Sequence, residues 1–213
     1  NSSDTEMTSA IKTCNDNKVY LAQFFRVISQ ENSADIYQAA KDSDYYIGAV
    51  HEDEPANGEE LVNILLNKGD RNIGLIGWEQ GDATWLGRWE GYKAGVDKWN
   101  EEHPDDQAKL SEPQYAGTTS EGGSKAAEAL MAADPNLDAL IPAGGGGDPL
   151  QGAIAAVERA GKTADIDVVS TDFLPDLGDR LENGSMAGES GGHFCDPLIA
   201  FMMVYLSLIH ISE

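Results

Sequence analysis

The stretch Leu137–Asp172 reads LDALIPAGGGGDPLQGAIAAVERAGKTADIDVVSTD and decides the fold of the chain. The apolar run Leu137–Ala143 predicts a buried strand, and it leads into four consecutive glycines. A helical pattern follows over about 148–160, and the apolar run Ile166–Thr171 predicts a second strand. Two strands joined by a helix pair in parallel through a right-handed crossover. The stretch therefore predicts one βαβ unit.

Strand and helix patterns also alternate along the rest of the chain. Apolar runs predict strands at Lys18–Phe25, Tyr45–Val50 and Asn72–Gly77, and helical patterns separate them. The charged segment His51–Asn57 is predicted to be a turn, with a helix starting at Gly58. This alternation predicts an α/β protein with parallel sheets and flanking helices.

The composition argues against several classes of function. The chain carries 37 acidic and 14 basic residues, a formal net charge of −23. Nucleic-acid binders need a basic face against the phosphates, so we expect no nucleic-acid partner. No run of about 18 apolar residues is present, so we expect no direct insertion into a membrane. The four histidines are scattered and the two cysteines form no metal motif, so we expect no metal and no cofactor.

Polar and aromatic side chains follow three of the predicted strands, where ligands bind in open parallel sheets. Trp78 and Glu79 follow one strand, Asp148 closes the glycine loop after another, and Asp172 follows a third. Arg88 lies in the helix after the Trp78 loop. An indole stacks on the apolar face of a sugar, whereas carboxylates and a guanidinium fix hydroxyl groups. These residues predict a site for a small polar ligand, although each could instead be a packed, surface or capping residue.

Two motifs resemble enzymatic sites but lack the required context. Gly161–Thr163 resembles the end of a P-loop, yet it ends a helix instead of starting one, so its amides cannot cradle a phosphate. Gly188–Gly192 matches the G-x-S-x-G nucleophile elbow of hydrolases, with Ser190 as the candidate nucleophile. The segment before it is a poor strand, and only His193, Asp196 and His210 follow, too close in sequence for the usual order of serine, acid and histidine. We interpret it as a glycine-rich crossing and predict that Ser190 is not a nucleophile.

Several segments together resemble a known family. Residues 72–96, NIGLIGWEQGDATWLGRWEGYKAGV, resemble the I-x-x-I-x-G…R-x-x-G-[FY] segment of type 1 periplasmic binding proteins. These are the sugar-binding relatives of ribose-binding protein and of the effector domains of LacI-type repressors. Residues 126–162 resemble the family's N-D-x-x-A-x-G-A region, and residues 166–176, IDVVSTDFLPD, resemble its I-x-V-V-G-x-D-x-x-P segment. The resemblance covers about Tyr45–Pro197.

The resemblance implies a periplasmic-binding-protein-like type I fold, in which two lobes joined by a hinge close on a ligand. Residues 1–50 would form a partial N-terminal lobe, 51–189 a C-terminal lobe and 190–205 the return to the first lobe. Residues 206–213, LSLIHISE, resemble a translated sequencing adaptor and are expected to be a non-native tail. With an incomplete N-terminal lobe, this chain is expected to bind its ligand far more weakly than a full-length protein.

The resemblance also implies roles for individual residues. The family's ligand-binding Arg and Asp fall on Arg88 and Asp172. Its Asn-Asp pair falls on Gly146 and Gly147, so a main ligand-binding side chain is absent unless the aspartate that follows replaces it. A polar contact at the return hinge falls on His193. The predicted ligand-binding residues are Trp78, Glu79, Arg88, Gly146, Gly147, Asp148, Asp172 and His193.

The function that the resemblance implies is binding without catalysis. The chain would be a solute-binding protein that captures a sugar or related polyol and presents it to the permease of an ABC transporter. It would be periplasmic, or extracellular and lipid-anchored. Two alternatives stay open: the effector-binding domain of a LacI-type transcriptional regulator and, from another class, a serine hydrolase using Ser190.

Overall fold

The computed structural model describes residues 3–25, 27–31, 33–144, 148–171, 174–192 and 194–210, with only the backbone of residue 210. Its internal contacts divide the chain into two compact units. Unit 1 consists of Asn1–Glu52 and His193–Glu213, and unit 2 consists of Asp53–Gly192. The chain thus passes from unit 1 into unit 2 and returns once.

Helices and strands alternate in the order that the sequence predicts. In chain order the elements are α1 (Asp4–Asp16), β1 (Leu21–Phe24), α2 (Ala34–Lys41), β2 (Tyr46–Val50), α3 (Glu54–Lys68), β3 (Asn72–Gly77), α4 (Ala83–Glu102), β4 (Lys109–Leu110), β5 (Gln114–Tyr115), α5 (Ser120–Ala133), β6 (Ala139–Pro142), α6 (Asp148–Arg159), β7 (Asp167–Ser170), α7 (Leu177–Asn183), β8 (Gly188–Glu189) and α8 (Asp196–His210).

Unit 1 is built on the parallel pair β1 and β2, flanked by α1, α2 and α8. The strand predicted at Lys18–Phe25 is shorter than its apolar run, because Lys18 adopts φ 57° and the chain turns there instead of extending. Ile11 of α1 packs with Ile36 and Ala39 of α2 in a small core.

Helix α8 is apolar on most of its surface. One side packs on the sheet of unit 1, where the Met203 methyl lies 3.0 Å from the position of a Cβ on Gly48. Other large apolar side chains are exposed, among them Phe201 at 64%. The helix continues through residue 210, into the segment 206–213 that was expected to be a tail.

Unit 2 contains a parallel sheet with helices on both faces. The strand order is β4-β3-β6-β7-β8, and β5 pairs with the same edge of β3 as β4 does. Every recorded pair of this sheet is parallel. Alternate residues of each central strand enter different cores: Leu140 faces the core with α5 and α6, whereas Ile141 faces the core with α3 and α4. Strands buried on both faces read as continuous apolar runs, which explains why the sequence predicted them well.

The prediction of a turn over His51–Asn57 was wrong for residues 54–57, which belong to helix α3. Helix α3 begins at Glu54, because the Asp53 side chain caps it by accepting from the Ala56 amide at 3.1 Å. Pro55 suits this first turn, where its missing N–H costs nothing. The helix therefore includes part of a segment that its charge alone marked as irregular.

Glycines allow helices α3 and α4 to pack backbone against backbone. A Cβ on Gly58 would lie 2.3 Å from the Arg88 carbonyl oxygen, and a Cβ on Gly91 would lie 2.0 Å from the Pro55 carbonyl oxygen. No side chain fits at either distance, so only glycine permits this approach. The contact fixes the first two turns of α3 against the second and third turns of α4.

Candidate functional site

The carboxyl ends of the strands of unit 2 meet at one edge of its sheet. The Ala143 amide donates to the Ile76 carbonyl at 2.6 Å, which joins the ends of β6 and β3. The Ser170 hydroxyl donates to the Pro142 carbonyl at 2.8 Å, which joins the ends of β7 and β6. The loops after β3, β6 and β7 therefore leave from neighbouring points, as a parallel sheet requires.

Trp78 and Glu79 stand in the loop directly after β3. Trp78 is partly buried against the core formed with α3 and α4, and its carbonyl accepts from the Gly117 amide at 2.9 Å. Glu79 is exposed. The Asp82 carboxylate ends the loop by accepting from the Trp85 amide at 2.8 Å, which caps α4.

Arg88 lies in the interior, not on the surface of the site. Its side chain is 1% exposed, and its Nε donates to Glu54 Oε2 at 2.5 Å. Its guanidinium carbon lies 5.2 Å from the centre of the Trp78 ring, within the range of a cation–π contact. Direct contact between Arg88 and a ligand stays a prediction, whereas its contacts with Glu54 and Trp78 are features of the structure.

The spacing of residues along α4 agrees with the burial of Arg88. Trp85, Arg88, Tyr92 and Val96 recur at spacings of three and four, and all four are buried. Burial raises the pKa of the Tyr92 hydroxyl far above its ordinary value; the charge of Arg88 lowers it by a smaller amount. The partner of Arg88 was missed because Glu54 stands 34 residues away, in the segment that was predicted to be a turn.

The remaining predicted site residues are described only in part. Asp148 is exposed in the first turn of α6, beside the glycine loop. Gly146, Gly147, Asp172 and His193 lie outside the described residues, so their part in the site stays a prediction.

Tyr115 is a candidate that sequence reasoning did not include. It ends β5 and is 41% exposed, and its Cδ1 lies 3.1 Å from the position of a Cβ on Gly77. The ring therefore stands beside the end of β3, one residue before Trp78. The only signal for it was an aromatic residue in the short segment Gln114–Ala116, which the sequence allows as a strand.

The opposite edge of the same sheet is acidic. The amides of Arg71 and Asn72 donate to Asp138 at 2.9 and 2.7 Å, which ties the starts of β3 and β6 together. Burial, followed by the charges of Asp167 and Asp138, raises the pKa of Asp70 to about 7. These carboxylates stand at the amino ends of the strands, away from the ligand edge.

The described part of the chain was compared with the patterns of a metal-ligating cluster and of a membrane-spanning helix. Within those residues, no group of three or more His, Cys, Asp or Glu side chains is arranged to hold a metal ion. Of the helices described, none combines the length and the apolar composition needed to cross a membrane.

Ser190 does not stand on a nucleophile elbow. It follows the two-residue strand β8, and its amide donates to the Ser170 carbonyl at 3.2 Å. The next helix, α8, begins only at Asp196, so the sharp turn from strand to helix that exposes such a serine is not formed here.

A family model matches nearly the whole chain and shows which family it belongs to. The family model described as "Periplasmic binding protein domain" matches residues 1–193. The chain belongs to this family. Membership confirms the resemblance seen in the sequence, and the α/β fold with parallel sheets agrees with it. A search of the curated proteins returned no match.

Solved structures of periplasmic binding proteins share this fold at low sequence identity. An ABC transporter solute-binding protein from Burkholderia multivorans matches with a TM-score of 0.73 and 16% identity, over 95% of this chain and 67% of its own. One from Actinobacillus succinogenes 130z, with bound D-allose, matches with a TM-score of 0.72 and 16% identity, over 94% and 74%. One from Agrobacterium vitis, with bound D-fucose, matches with a TM-score of 0.64 and 18% identity, over 84% of this chain and 56% of its own. The chain thus spans little more than half of that last protein.

Proposed function

We propose that this chain is the ligand-binding part of a solute-binding protein that captures a sugar or related polyol for an ABC transporter, without catalysis. The observation that carries the proposal is the edge of unit 2 where the partly buried Trp78 and the exposed Glu79 and Tyr115 lie at the carboxyl ends of parallel strands. Family membership and the sugars named with the D-allose and D-fucose complexes support it.

The chemistry of this edge suits a monosaccharide. An indole or phenol ring packs on the apolar C–H face of a pyranose, while carboxylates accept hydrogen bonds from its hydroxyl groups. Glu79 and Asp148 are exposed acceptors after two of the strands, and Asp172, Gly146, Gly147 and His193 are proposed to complete the site. The net charge of −23 disfavours anionic solutes such as sugar phosphates.

The cellular setting follows from the proposed function. A protein that hands a solute to an ABC permease works outside the cytoplasmic membrane, so we propose a periplasmic location, or an extracellular one with a lipid anchor. The permease is the proposed protein partner.

Isothermal titration calorimetry with D-allose, D-fucose, D-tagatose and D-glucose tests the proposal. We expect at least one sugar to bind the wild-type chain. Trp78→Ala should lower the affinity for that sugar by about tenfold, the loss expected for one aromatic stacking contact of about 1.4 kcal/mol. Trp99→Ala is the matched control, because this indole stacks on His103 and Arg71 at the opposite edge of the sheet.

The control should keep the affinity within about twofold, provided both variants unfold cooperatively. Because this chain is expected to bind more weakly than a full-length protein, the titrations use sugar at about 10 mM, which detects a Kd of about 1 mM. No binding of any sugar of the panel under these conditions, or equal losses in the two variants, would contradict the proposal.

A further inference from the structure

We propose that two copies of this chain pair through helix α8 and form a dimer. The surface involved is the α8 face, which consists of the exposed side chains of Leu198, Ile199, Phe201, Met202 and Tyr205. The proposal concerns unit 1 alone and does not rest on the proposed function, so either can fail without the other.

Helix α8 is apolar on all sides, and within the described part of the chain one side is packed while the other is exposed. No charged residue occurs over positions 197–209. Ala200 is 5% exposed, and the Met203 methyl lies against Gly48 of β2. The side chains of the α8 face are 42–64% exposed. Because residues three and four apart lie on one side of a helix, positions 198, 202 and 205 form one continuous stripe. A helix that is apolar all round is normally buried, which indicates that the α8 face is a contact surface.

The exposed apolar side chains of the described residues are concentrated around the α8 face. Of fifteen such large side chains, twelve belong to unit 1 and eight to α8 itself. With about 200 Å² for a complete side chain, the five residues of the α8 face expose about 500 Å². Leu206 and Leu208, 43% and 47% exposed, extend the surface to about 700 Å². The largest apolar patch on a typical monomer covers about 300–600 Å², and larger patches mark interaction sites.

The size and character of this surface suit a second copy of the same chain. Two α8 faces that pair bury up to about 1,000 Å², or about 1,400 Å² with the extension, and a specific interface requires about 1,000 Å². Homodimer interfaces are also more apolar than those of transient complexes. An apolar face needs no matching charge on its partner, so it is complementary to itself across a two-fold axis.

The charge of the chain also favours this surface as the place where two copies meet. Each copy carries a formal net charge of −23, so the copies repel each other over most of their surfaces. Along α8 the stretch between Asp196 and His210 is uncharged, and repulsion is weakest there. A lipid bilayer is a poorer occupant, because the 15 residues of α8 are fewer than the roughly 20 needed to cross it.

An aromatic pair provides the anchor of the proposed interface. The rings of Phe201 and Tyr205 lie parallel within 16°, with their centres 6.5 Å apart, and the side chains are 64% and 50% exposed. Side chains that already pack on one another lose little rotamer freedom when a partner covers them. Large aromatic side chains in the centre of an interface carry much of its binding energy. We therefore expect Phe201 to be a critical position for the dimer.

Sedimentation velocity of the whole chain between about 1 and 100 µM tests the proposal. We expect the mass to rise from 22.8 kDa towards twice that value, with a Kd of about 10 µM. Phe201→Glu should raise the Kd at least about tenfold, because each copy would bury an unpaired carboxylate. Leu181→Glu is the matched control, since it makes a similar change at a 44% exposed residue of α7 in unit 2, and it should keep the Kd within about twofold.

Far-UV circular dichroism and heteronuclear NMR spectra establish that each variant is folded. If Phe201→Glu does not fold, Tyr205→Ser serves in its place, with an expected rise in Kd of at least about fivefold. Raising NaCl from about 50 to 500 mM should tighten the dimer, because salt screens the repulsion between the two acidic copies. A dimer that salt weakens would be held by charged contacts elsewhere, and this result would overturn the proposal.

Cross-linking locates the interface independently of its strength. In a Cys14→Ser, Cys195→Ser background, Met202→Cys places one thiol near the middle of the α8 face, where a two-fold axis brings the two copies of this residue together. We expect mild oxidation to link Met202→Cys into a dimer faster than Leu181→Cys in the same background. Equal rates would overturn the proposal.

The remaining outcomes assign the α8 face to another occupant. Wild-type chain that stays monomeric at about 100 µM overturns the dimer, and so does a Kd that Phe201→Glu leaves unchanged. A mass that grows past two copies with concentration indicates open-ended association and overturns a closed dimer. Monomeric chain that floats with phosphatidylcholine vesicles, and loses this property in Phe201→Glu, would assign the face to lipid and overturn the proposal.

Discussion

The contact between α3 and α4 predicts that Gly91→Ala destabilises unit 2. A Cβ at this position would lie 2.0 Å from the Pro55 carbonyl oxygen and 2.8 Å from the Glu59 amide nitrogen. Both neighbours are backbone atoms of α3, so no side chain can rotate away. The helices would have to move apart by more than about 1 Å to reach ordinary van der Waals distance.

The expected cost follows from two opposing effects. Alanine is favoured over glycine inside a helix by about 0.8–1 kcal/mol, which stabilises the variant. Overpacking of a rigid interior costs about 1–3 kcal/mol, and a clash with backbone belongs at the upper end of that range. We therefore expect a net loss of about 2 kcal/mol in the free energy of unfolding, equivalent to about 4–8 °C in Tm.

Urea denaturation followed by tryptophan fluorescence is a suitable assay. The four tryptophans of the chain, Trp78, Trp85, Trp89 and Trp99, all lie in unit 2, so the signal reports the unfolding of this unit. Gly178→Ala is the matched control, because a Cβ at this position of α7 meets nothing within 4 Å. It should gain about 0.5 kcal/mol from helix propensity and from the lower entropy of the unfolded chain.

The two variants together decide whether the reasoning holds. Gly91→Ala that is as stable as the wild type, beside a stabilised Gly178→Ala, would refute the claim that backbone contact forces glycine at the α3–α4 crossing. Gly95→Ala offers an intermediate case, since its Cβ would lie 3.2 Å from a methyl group of Val62 that can shift. Its stability should fall between those of the other two variants.

Three further predictions concern charge, capping and catalysis. Because the pKa of Asp70 is raised to about 7, the folded state binds more protons than the unfolded state between about pH 4 and pH 7, so this group makes stability fall as pH rises through that range. In urea titrations Asp70→Asn should flatten the dependence of the unfolding free energy on pH and gain about 1 kcal/mol at pH 8, after discounting for partial exposure. The exposed control Asp105→Asn should follow the wild type. An Asp70→Asn variant whose stability depends on pH as steeply as that of the wild type would contradict this prediction. Asp82→Ala should lower the free energy of unfolding by about 1 kcal/mol in the same assay, because the cap on the Trp85 amide is lost. An unchanged urea midpoint would show that this cap does not stabilise α4. A fluorophosphonate probe should label the wild-type chain no more than Ser190→Ala, and labelling that disappears in the variant would restore the hydrolase alternative.

The order of strands and helices was predictable because local patterns carry it. The predicted strand Asn72–Gly77 has the bounds of β3, since a strand buried on both faces is apolar along its whole length. Local patterns do not predict the shortest strands of the sheet. The chain gave no signal for Lys109–Leu110, because a strand of that length has no periodicity and forms only where the edge of β3 is available to pair.

The candidate site was predictable to the level of the sheet edge. Trp78 and Glu79 were predicted to follow a strand of a parallel sheet, and the structure places both directly after β3, whereas their contact with a ligand stays a prediction. Tyr115 was not found, because its relation to Trp78 depends on β5 pairing with β3 across 36 residues of chain. Arg88 is buried on the same helical face as Trp85 and Tyr92, and its contact with a ligand stays a prediction.

The sequence by itself determined the fold class, the family and the edge of the sheet at which a ligand is expected, because periodicity, capping and motif spacing are local properties of the chain. Only the tertiary structure decided that Arg88 is buried between Glu54 and Trp78, and that α3 and α4 meet through glycine backbone. Burial and ion pairing depend on which distant segments come together. That choice is made by the packing of the whole unit, and no window of neighbouring residues contains it.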